Sequence, residues 1–164
     1  MKIREFKVGE KVVYPAHGVG VIEEVQSRKH SGSEIQFYTL RIIDTDMKIM
    51  IPTAKADAVG LRRVIGKDMV SKVYKVLREK RVRVDQATWN RRYREYTEKI
   101  KTGAVLEIAA VLRDLFMLKG DKELSFGERK MLDTARNLLV KELAIAKAHS
   151  EEKIMEELRT IFGH

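Results

Sequence analysis

Hydrophobic and polar positions alternate with a period of two in the first part of the chain. Short runs of alternating or β-branched residues, each bounded by turn residues, predict strands. The predicted strands cover residues 11–14, 19–25, 36–43 and 47–51. The turns between them fall at residues 14–15, 30–33 and 44–46, and the short 44–46 connection favours a hairpin.

This spacing of strands favours a small barrel. Four or five short strands fall within about fifty residues, and a sheet that short leaves much of its backbone unpaired at the edges unless it closes. We therefore predict a twisted barrel of the SH3 or Tudor kind for the N-terminal part.

Beyond Pro52 the apolar positions follow the period of an α-helix. A first helix over residues 67–79 carries an apolar stripe made of Met69, Val70, Val73, Val76 and Leu77. A second helix is expected to run from a cap at Asp85 to about Lys101, and Gly103 ends it.

Three further helices complete this part. Residues 104–118 are apolar on most sides, which predicts a central, buried helix ending at Gly120. Ser125-Phe126-Gly127-Glu128 matches a capping box and predicts a helix to about Ala148. Ser150 opens a last short helix whose inward residues are Ile154, Leu158 and Ile161.

The fold class that follows is α+β. We predict a small Tudor/SH3-like β-barrel domain at residues 1–55, a linker at residues 56–66, and a compact C-terminal bundle of about five helices at residues 67–164.

Composition narrows the class of protein. The 164 residues include no cysteine, which excludes disulfides and thiolate metal sites. No uncharged apolar run approaches the roughly 18 residues of a membrane span, and the N-terminus has no apolar signal region. We therefore expect a soluble, unexported, cytoplasmic protein without a membrane partner.

Positive charge is concentrated in thirty residues. Residues 72–101 carry 11 Lys/Arg and 4 Asp/Glu, so +7 of the formal net charge of +9 lies there. Such a local excess is typical of a surface that binds polyanions. The alternative is a solvated helix surface that serves solubility.

Catalytic patterns are missing from the sequence. The four histidines are scattered, and no serine lies in a Gly-x-Ser-x-Gly elbow. Gly18-Val19-Gly20 lacks the third glycine and the following helix of a dinucleotide fingerprint, so a strand-entry turn is favoured. We expect neither enzymatic activity nor a cofactor or metal ion.

The single tryptophan begins a basic segment. On a helix, Trp89 shares one face with Tyr93, Tyr96 and Ile100, and this face could form core. Alternatively, Trp89 projects past the helix end among cations, where an apolar wedge can enter a groove or stack on an unpaired base. In that case Tyr93, Tyr96 and Ile100 remain inward as packing residues.

The whole chain resembles the CarD/CdnL transcription regulators, most closely the CdnL type. No single motif is decisive, but their order and joint coverage are specific. The motifs lie at residues 6–15 (FKVGEKVVYP), 17–20 (HGVG), 37–42 (FYTLRI), 48–52 (KIMIP), 88–96 (TWNRRYREY), 111–115 (VLRDL) and 124–132 (LSFGERKML).

The resemblance implies a function in transcription initiation. A Tudor-like N-terminal domain would bind the N-terminal lobe of the RNA polymerase β subunit in the holoenzyme, as in transcription-repair coupling factors. The helical domain would contact promoter DNA non-specifically at the upstream edge of the bubble. There the family's tryptophan wedges into the minor groove and stabilises the open complex.

The motifs also assign residues. The DNA-facing tryptophan corresponds to Trp89, and the adjacent basic residues to Arg91 and Arg92. The polymerase-facing positions correspond to Arg28, Leu40, Met50 and Pro52. Some family members carry arginine where this chain has Met50, which implies a more apolar contact here. Phe126 either extends the DNA-facing patch or plugs the core.

Two other functions remain open from the sequence. The chain could bind nucleic acid without a polymerase partner, for example as an RNA-associated adaptor, but this leaves the β-domain without a role. A barrel and bundle that serve only protein assembly are the third alternative. A monomer is the default expectation.

Overall fold

The computed structural model of the chain describes residues 5–79, 89–121 and 123–163, without the side chains of His30, Trp89, Asn90 and Asp121. The chain divides into two compact units, residues 1–64 and residues 65–164. Asp85, the expected cap of the second helix, lies outside the described residues.

The first unit is a five-stranded antiparallel sheet with the strand order β4-β3-β2-β1-β5. Its strands are β1 (Lys11–Tyr14), β2 (Gly18–His30), β3 (Ser33–Ile42), β4 (Lys48–Pro52) and β5 (Arg62–Arg63). A 3-10 turn at Thr53–Lys55 follows β4. The order leaves β4 and β5 at the two ends of the sheet.

One face of the sheet forms the core of this unit. Alternate residues of β3 are buried, because successive side chains of a strand point to opposite faces. The core consists of Phe6, Val12, Ile22, Tyr38, Leu40, Ile42, Ile51, Ala56 and Leu61. The Tyr38 hydroxyl accepts a hydrogen bond from the Phe6 N–H at 3.0 Å, which ties the N-terminal segment to this core.

Residues 56–64 differ from the linker that the sequence predicts. Ala56 and Leu61 are buried in the first unit, with 0% and 3% of their surface exposed. Arg63 pairs with Val12 of β1 and makes β5 part of the sheet. The prediction of a linker is wrong for this segment because its few apolar residues complete a core whose strands lie earlier in the chain.

The second unit consists of five helices within the described residues, namely α1 (Lys67–Arg78), α2 (Trp89–Lys101), α3 (Val105–Asp121), α4 (Phe126–Lys147) and α5 (Glu151–Phe162). Helix α3 contacts α1, α2 and α4. Its residues Val111, Leu112 and Leu115 are fully buried, so α3 is the central helix that its apolar pattern predicts.

Capping side chains set the starts of α4 and α5. Ser125 Oγ accepts a hydrogen bond from the Glu128 N–H, and Ser150 Oγ accepts one from the Lys153 N–H. The capping box expected at Ser125 is confirmed, as is the α+β fold class. Among the helices described, none has both the length and the apolar composition needed to cross a bilayer.

Candidate functional site

Three of the four residues expected to face the polymerase share one face of the sheet. Directly opposed residues of an antiparallel pair point to the same face. The opposed pairs are Thr39 with Met50, Phe37 with Pro52, Gln26 with Phe37, and Arg28 with Ile35. We call this surface the outer sheet face and define it by Arg28, Ile35, Phe37, Met50 and Pro52.

The outer sheet face is partly apolar and open to contact. Met50 keeps 39% of its surface exposed, so its apolar side chain is open to solvent. Arg28 is exposed, whereas Phe37 and Pro52 are half-buried. Of the described strands, β4 pairs only with β3, so its second edge presents backbone donors and acceptors that another strand can use.

Leu40 lies on the opposite face of the sheet. It is opposed to Ile49, and none of its surface is exposed. The structure therefore corrects the expectation that its side chain faces a partner. The strand period places Tyr38, Leu40 and Ile42 together in the core, so Leu40 influences the outer sheet face only through the position of β3.

Sequence analysis missed Phe37 and Ile35 as members of the outer sheet face. Phe37 lies in the predicted third strand, and Ile35 lies just before its predicted start. Both point away from the buried residues of β3. The period-two pattern identifies them as outward. Their alignment with Met50 and Arg28 depends on the pairing register, which the sequence alone does not define.

Helix α2 carries the expected DNA-binding residues on its first turns. Trp89 is its first residue, and the side chain of Trp89 lies outside the described part of the chain. The Arg91 side chain is 70% exposed, and its Nε lies 3.7 Å from a carboxylate oxygen of Glu95. Arg94 is also exposed, so this turn of α2 presents cations to solvent.

The buried stripe of α2 differs from the expected one. Tyr96 and Ile100 are buried as expected, but 49% of the surface of Tyr93 is exposed, so the inward prediction for Tyr93 is wrong. The stripe that enters the core runs through Arg92, Tyr96 and Ile100 at steps of four residues. A charged residue thus takes the place that the sequence suggests for Tyr93.

Arg92 is buried because an acidic partner meets it. Only 9% of its surface is exposed, and its Nη2 lies 3.3 Å from Oε2 of Glu128, which is itself 1% exposed. Burial raises the pKa of Tyr96 to about 12, with a further increase from the charge of Asp114 and an opposing effect from Arg92.

The two oxygens of the Glu128 carboxylate have different partners. Oε1 accepts a hydrogen bond from the Ser125 N–H at 2.9 Å and closes the capping box, whereas Oε2 binds Arg92. The same carboxylate therefore caps α4 and connects it to α2. This contact places the first turns of α2 and α4 next to each other.

Phe126 lies at the start of α4 with 75% of its surface exposed. The sequence left two roles open for it, a core plug or part of a surface patch. The structure excludes the core plug. A single exposed apolar side chain is common at protein surfaces, so Phe126 is a candidate contact because it lies beside the basic first turn of α2.

Other chemistry is limited in the part of the chain that the structure describes. No group of three or more His, Asp or Glu residues there could hold a metal ion. A groove of about 1060 Å³ is lined by residues of α1, α3, α4 and α5, among them Tyr74, Lys147 and Glu157. Lys147 and Glu157 bind each other there, with 2.9 Å between Nζ and Oε2.

Comparisons with known proteins identify both parts of the chain. The family model "CarD-like/TRCF RID domain" matches residues 6–65, and the model "CarD, C-terminal domain" matches residues 72–159. The protein named "Putative transcription factor YdeB", from Bacillus subtilis (strain 168), is 34% identical over 152 residues, which cover 91% of this chain and 97% of that protein.

Two solved structures from Myxococcus xanthus also match. The N-terminal part of CdnL is 42% identical and covers 41% of this chain and 93% of its own, with a TM-score of 0.33. The N-terminal domain of CarD, solved by NMR, is 30% identical and covers 36% of this chain and 79% of its own, with a TM-score of 0.31.

The family models and the relative from Bacillus subtilis confirm the resemblance found in the motifs. The second family model alone spans more than half of the chain, and the curated relative extends over nearly all of it. Membership in this family implies an interaction with RNA polymerase. The chain belongs to the CarD/CdnL family and is a transcription regulator of the CarD type.

Proposed function

We propose that the first unit binds the N-terminal lobe of the RNA polymerase β subunit and that the second unit stabilises promoter open complexes. The bound DNA is the upstream edge of the transcription bubble, where Trp89 acts as a wedge. One observation carries this proposal. The Arg92–Glu128 contact brings the start of α2, with Trp89 and Arg91, next to the exposed Phe126.

The outer sheet face supports the polymerase contact. It combines the exposed side chain of Met50 with Phe37 and with the cation of Arg28. A strand of the β lobe could also pair with the second edge of β4, since backbone pairing supplies affinity and side-chain pockets supply specificity.

The adjoining helix starts support the DNA contact. Arg91 and Arg94 can neutralise phosphates, and a helix N-terminus carries a partial positive charge that favours anions. Phosphate contacts carry no sequence information, so the second unit is expected to bind many promoters with similar affinity. Apolar side chains such as Phe126 gain most where the bases are already unstacked.

The two contacts act together. Binding to the polymerase raises the effective concentration of the second unit at the promoter, so that a modest affinity for DNA suffices. The wedge then favours open over closed complexes because it binds the distorted DNA better. A differential affinity of about 1.4 kcal/mol would raise the ratio of open to closed complexes tenfold.

A lifetime measurement on promoter complexes tests the proposal. Trp89→Ala should leave capture of the β lobe intact and shorten the lifetime of the open complex after a competitor is added. Arg159→Ala, an exposed cation on α5, serves as the control and should leave the lifetime unchanged. A wild-type lifetime for Trp89→Ala would refute the wedge.

The same samples test the second candidate, a nucleic-acid-binding protein without a polymerase partner. That candidate predicts DNA or RNA binding by the whole chain and no retention of the protein on an immobilised β lobe. Retention that depends on the outer sheet face would exclude it.

A further inference from the structure

We propose that Arg92 is a positioning residue, which holds the DNA-facing surface together and does not itself bind a phosphate. Its ion pair with Glu128 would keep the first turn of α2, which carries Trp89, next to the first turn of α4, which carries Phe126. This inference rests on the proposed function and assigns Arg92 a role different from that of Arg91.

Burial separates the two neighbouring arginines. The Arg91 side chain is 70% exposed, whereas the Arg92 side chain is 11% exposed and lies against a carboxylate that is 2% exposed. A phosphate could reach Arg92 only if the guanidinium left Glu128. That would leave a buried carboxylate without its compensating charge, which is strongly unfavourable.

Glu128 is held in place independently of Arg92. Its backbone N–H donates to Ser125 Oγ at 3.2 Å, and its Oε1 accepts from the Ser125 N–H at 2.9 Å. These two bonds define the first turn of α4, in which Phe126 is the first residue. Oε2 is thereby aimed at α2, and Arg92 meets a fixed acceptor.

Arg92 lies on the buried side of its own helix. Tyr96, one turn further along α2, is 4% exposed, and the charge of Arg92 acts to lower the pKa of its phenol. A guanidinium is planar and offers several donors in fixed directions, which suits a carboxylate held in a fixed orientation. A lysine at the same position has one compact ammonium group and cannot reproduce this geometry.

The direction in which Glu128→Gln changes DNA binding distinguishes the positioning role from a purely electrostatic one. Glu128→Gln raises the net charge of the protein by one unit, so a purely electrostatic account predicts equal or tighter binding to DNA. The positioning role predicts the opposite, because the amide binds Arg92 more weakly and the two helix starts move relative to each other. Glutamine still accepts a hydrogen bond from the Ser125 N–H, so the cap of α4 is retained.

The experiment compares full-length Arg91→Ala, Arg92→Ala, Glu128→Gln and the double variant of Arg92 and Glu128. One readout is the salt dependence of binding to a promoter fragment. The other is the lifetime of the open complex formed by polymerase holoenzyme. Circular dichroism establishes that each variant is folded.

We expect Arg91→Ala to lower the log-log salt slope by about 0.9, the effect of one lost phosphate contact. Arg92→Ala and Glu128→Gln should leave the slope unchanged and shorten the lifetime about three- to tenfold, as expected from a shift in population. The double variant should be no worse than the more affected single variant, because both changes break the same contact.

Two results would overturn the inference and leave the proposed function standing. One is a slope lowered by about 0.9 in Arg92→Ala, which would place Arg92 on a phosphate. The other is a normal or longer open-complex lifetime for Glu128→Gln. If Arg92→Ala does not fold, the lifetime of Glu128→Gln is sufficient to test the inference. Normal lifetimes for both Trp89→Ala and Arg91→Ala would instead contradict the proposed function itself.

Discussion

The Tyr74 hydroxyl donates a hydrogen bond to the carboxylate of Glu157, 83 positions further along the chain. Lys147 contacts both groups, with its Nζ 3.2 Å from the phenolic oxygen and 2.9 Å from Oε2 of Glu157. The same ammonium lies 4.5 Å from the centre of the Tyr74 ring. This cluster joins α1, α4 and α5 on the wall of the groove. It stabilises the second unit and does not include the start of α2.

Tyr74→Phe tests the contribution of this cluster to stability. The change keeps the buried ring and removes the donor to Glu157. Because a hydrogen bond to a charged, partly buried acceptor is lost, we expect the free energy of unfolding to fall by about 1–2 kcal/mol. Urea denaturation followed by circular dichroism measures this value.

Tyr14→Phe in the first unit is the control, since its hydroxyl lies outside the Tyr74 cluster. A Tyr74→Phe variant as stable as the wild type would mean that water replaces the lost partner at no cost.

The pKa of Glu157 predicts how this stabilisation depends on pH. Burial alone would raise the pKa, but hydrogen bonds from Tyr74 and Lys147 and the charge of Lys147 together lower it below the ordinary value of 4.5. A carboxylate with a lowered pKa in the folded state stabilises the protein above its unfolded pKa. This stabilisation is lost as the pH falls through the folded pKa.

We therefore expect the wild type to be more stable than Glu157→Gln at pH 7 and the difference to shrink below about pH 4.5. Urea denaturation of both proteins at a series of pH values measures the difference. A difference that stays constant down to pH 3, or grows as the pH falls, would contradict the assignment.

Close packing at Gly20 gives a prediction for the first unit. A β-carbon at Gly20 would lie 2.6 Å from Cδ1 of Leu40 and 3.0 Å from the backbone oxygen of Arg41. Leu40 is fully buried and cannot move away without disturbing its neighbours. Gly20→Ala should therefore lower the free energy of unfolding by about 1–3 kcal/mol, the usual effect of overpacking.

Gly66→Ala in the second unit provides the comparison in thermal or urea unfolding. A β-carbon there meets nothing within 4 Å, so only the preference of the α1 N-cap for glycine over alanine is lost, and the effect should be smaller than at Gly20. Equal stability of the two variants would show that β3 moves freely to admit the methyl group at Gly20.

Local patterns predicted much of the fold. The Ser125–Glu128 spacing is sufficient to identify a helix start because both partners of the capping box lie within one turn. The apolar surround of α3 likewise predicts its central place. Alternation in β3 predicts which of its residues face the core, including Leu40, although the family resemblance pointed to an outward role.

Contacts between distant residues could not be predicted in this way. Arg92 is buried because Glu128, 36 positions away, supplies the compensating charge, and no pattern within α2 signals that partner. Because of this contact, Arg92 occupies the buried position on α2 that the sequence suggests for Tyr93. The burial of Leu61 could not be predicted either, because a single leucine in a loop does not indicate which strands will cover it.

Met50→Asp tests the outer sheet face as the polymerase contact. Met50 lies on the edge strand β4, opposite Thr39 of β3, and keeps 39% of its surface exposed. Because its side chain points away from the core, the change should not disturb the core. A carboxylate in a half-apolar interface must lose its water shell without gaining a partner. We expect retention on an immobilised β lobe to weaken at least about tenfold, as for a residue at the centre of an interface.

Val59→Asp is the matched control, because Val59 is 37% exposed and lies in the loop before β5, outside the outer sheet face. It introduces the same charge into the same unit and should leave retention unchanged. Equal losses for the two variants would point to a general effect of negative charge on the encounter with the polymerase. Full retention of Met50→Asp would show that the polymerase contact lies on a different surface. The salt dependence of DNA binding by the second unit should in that case be the same as in the wild type.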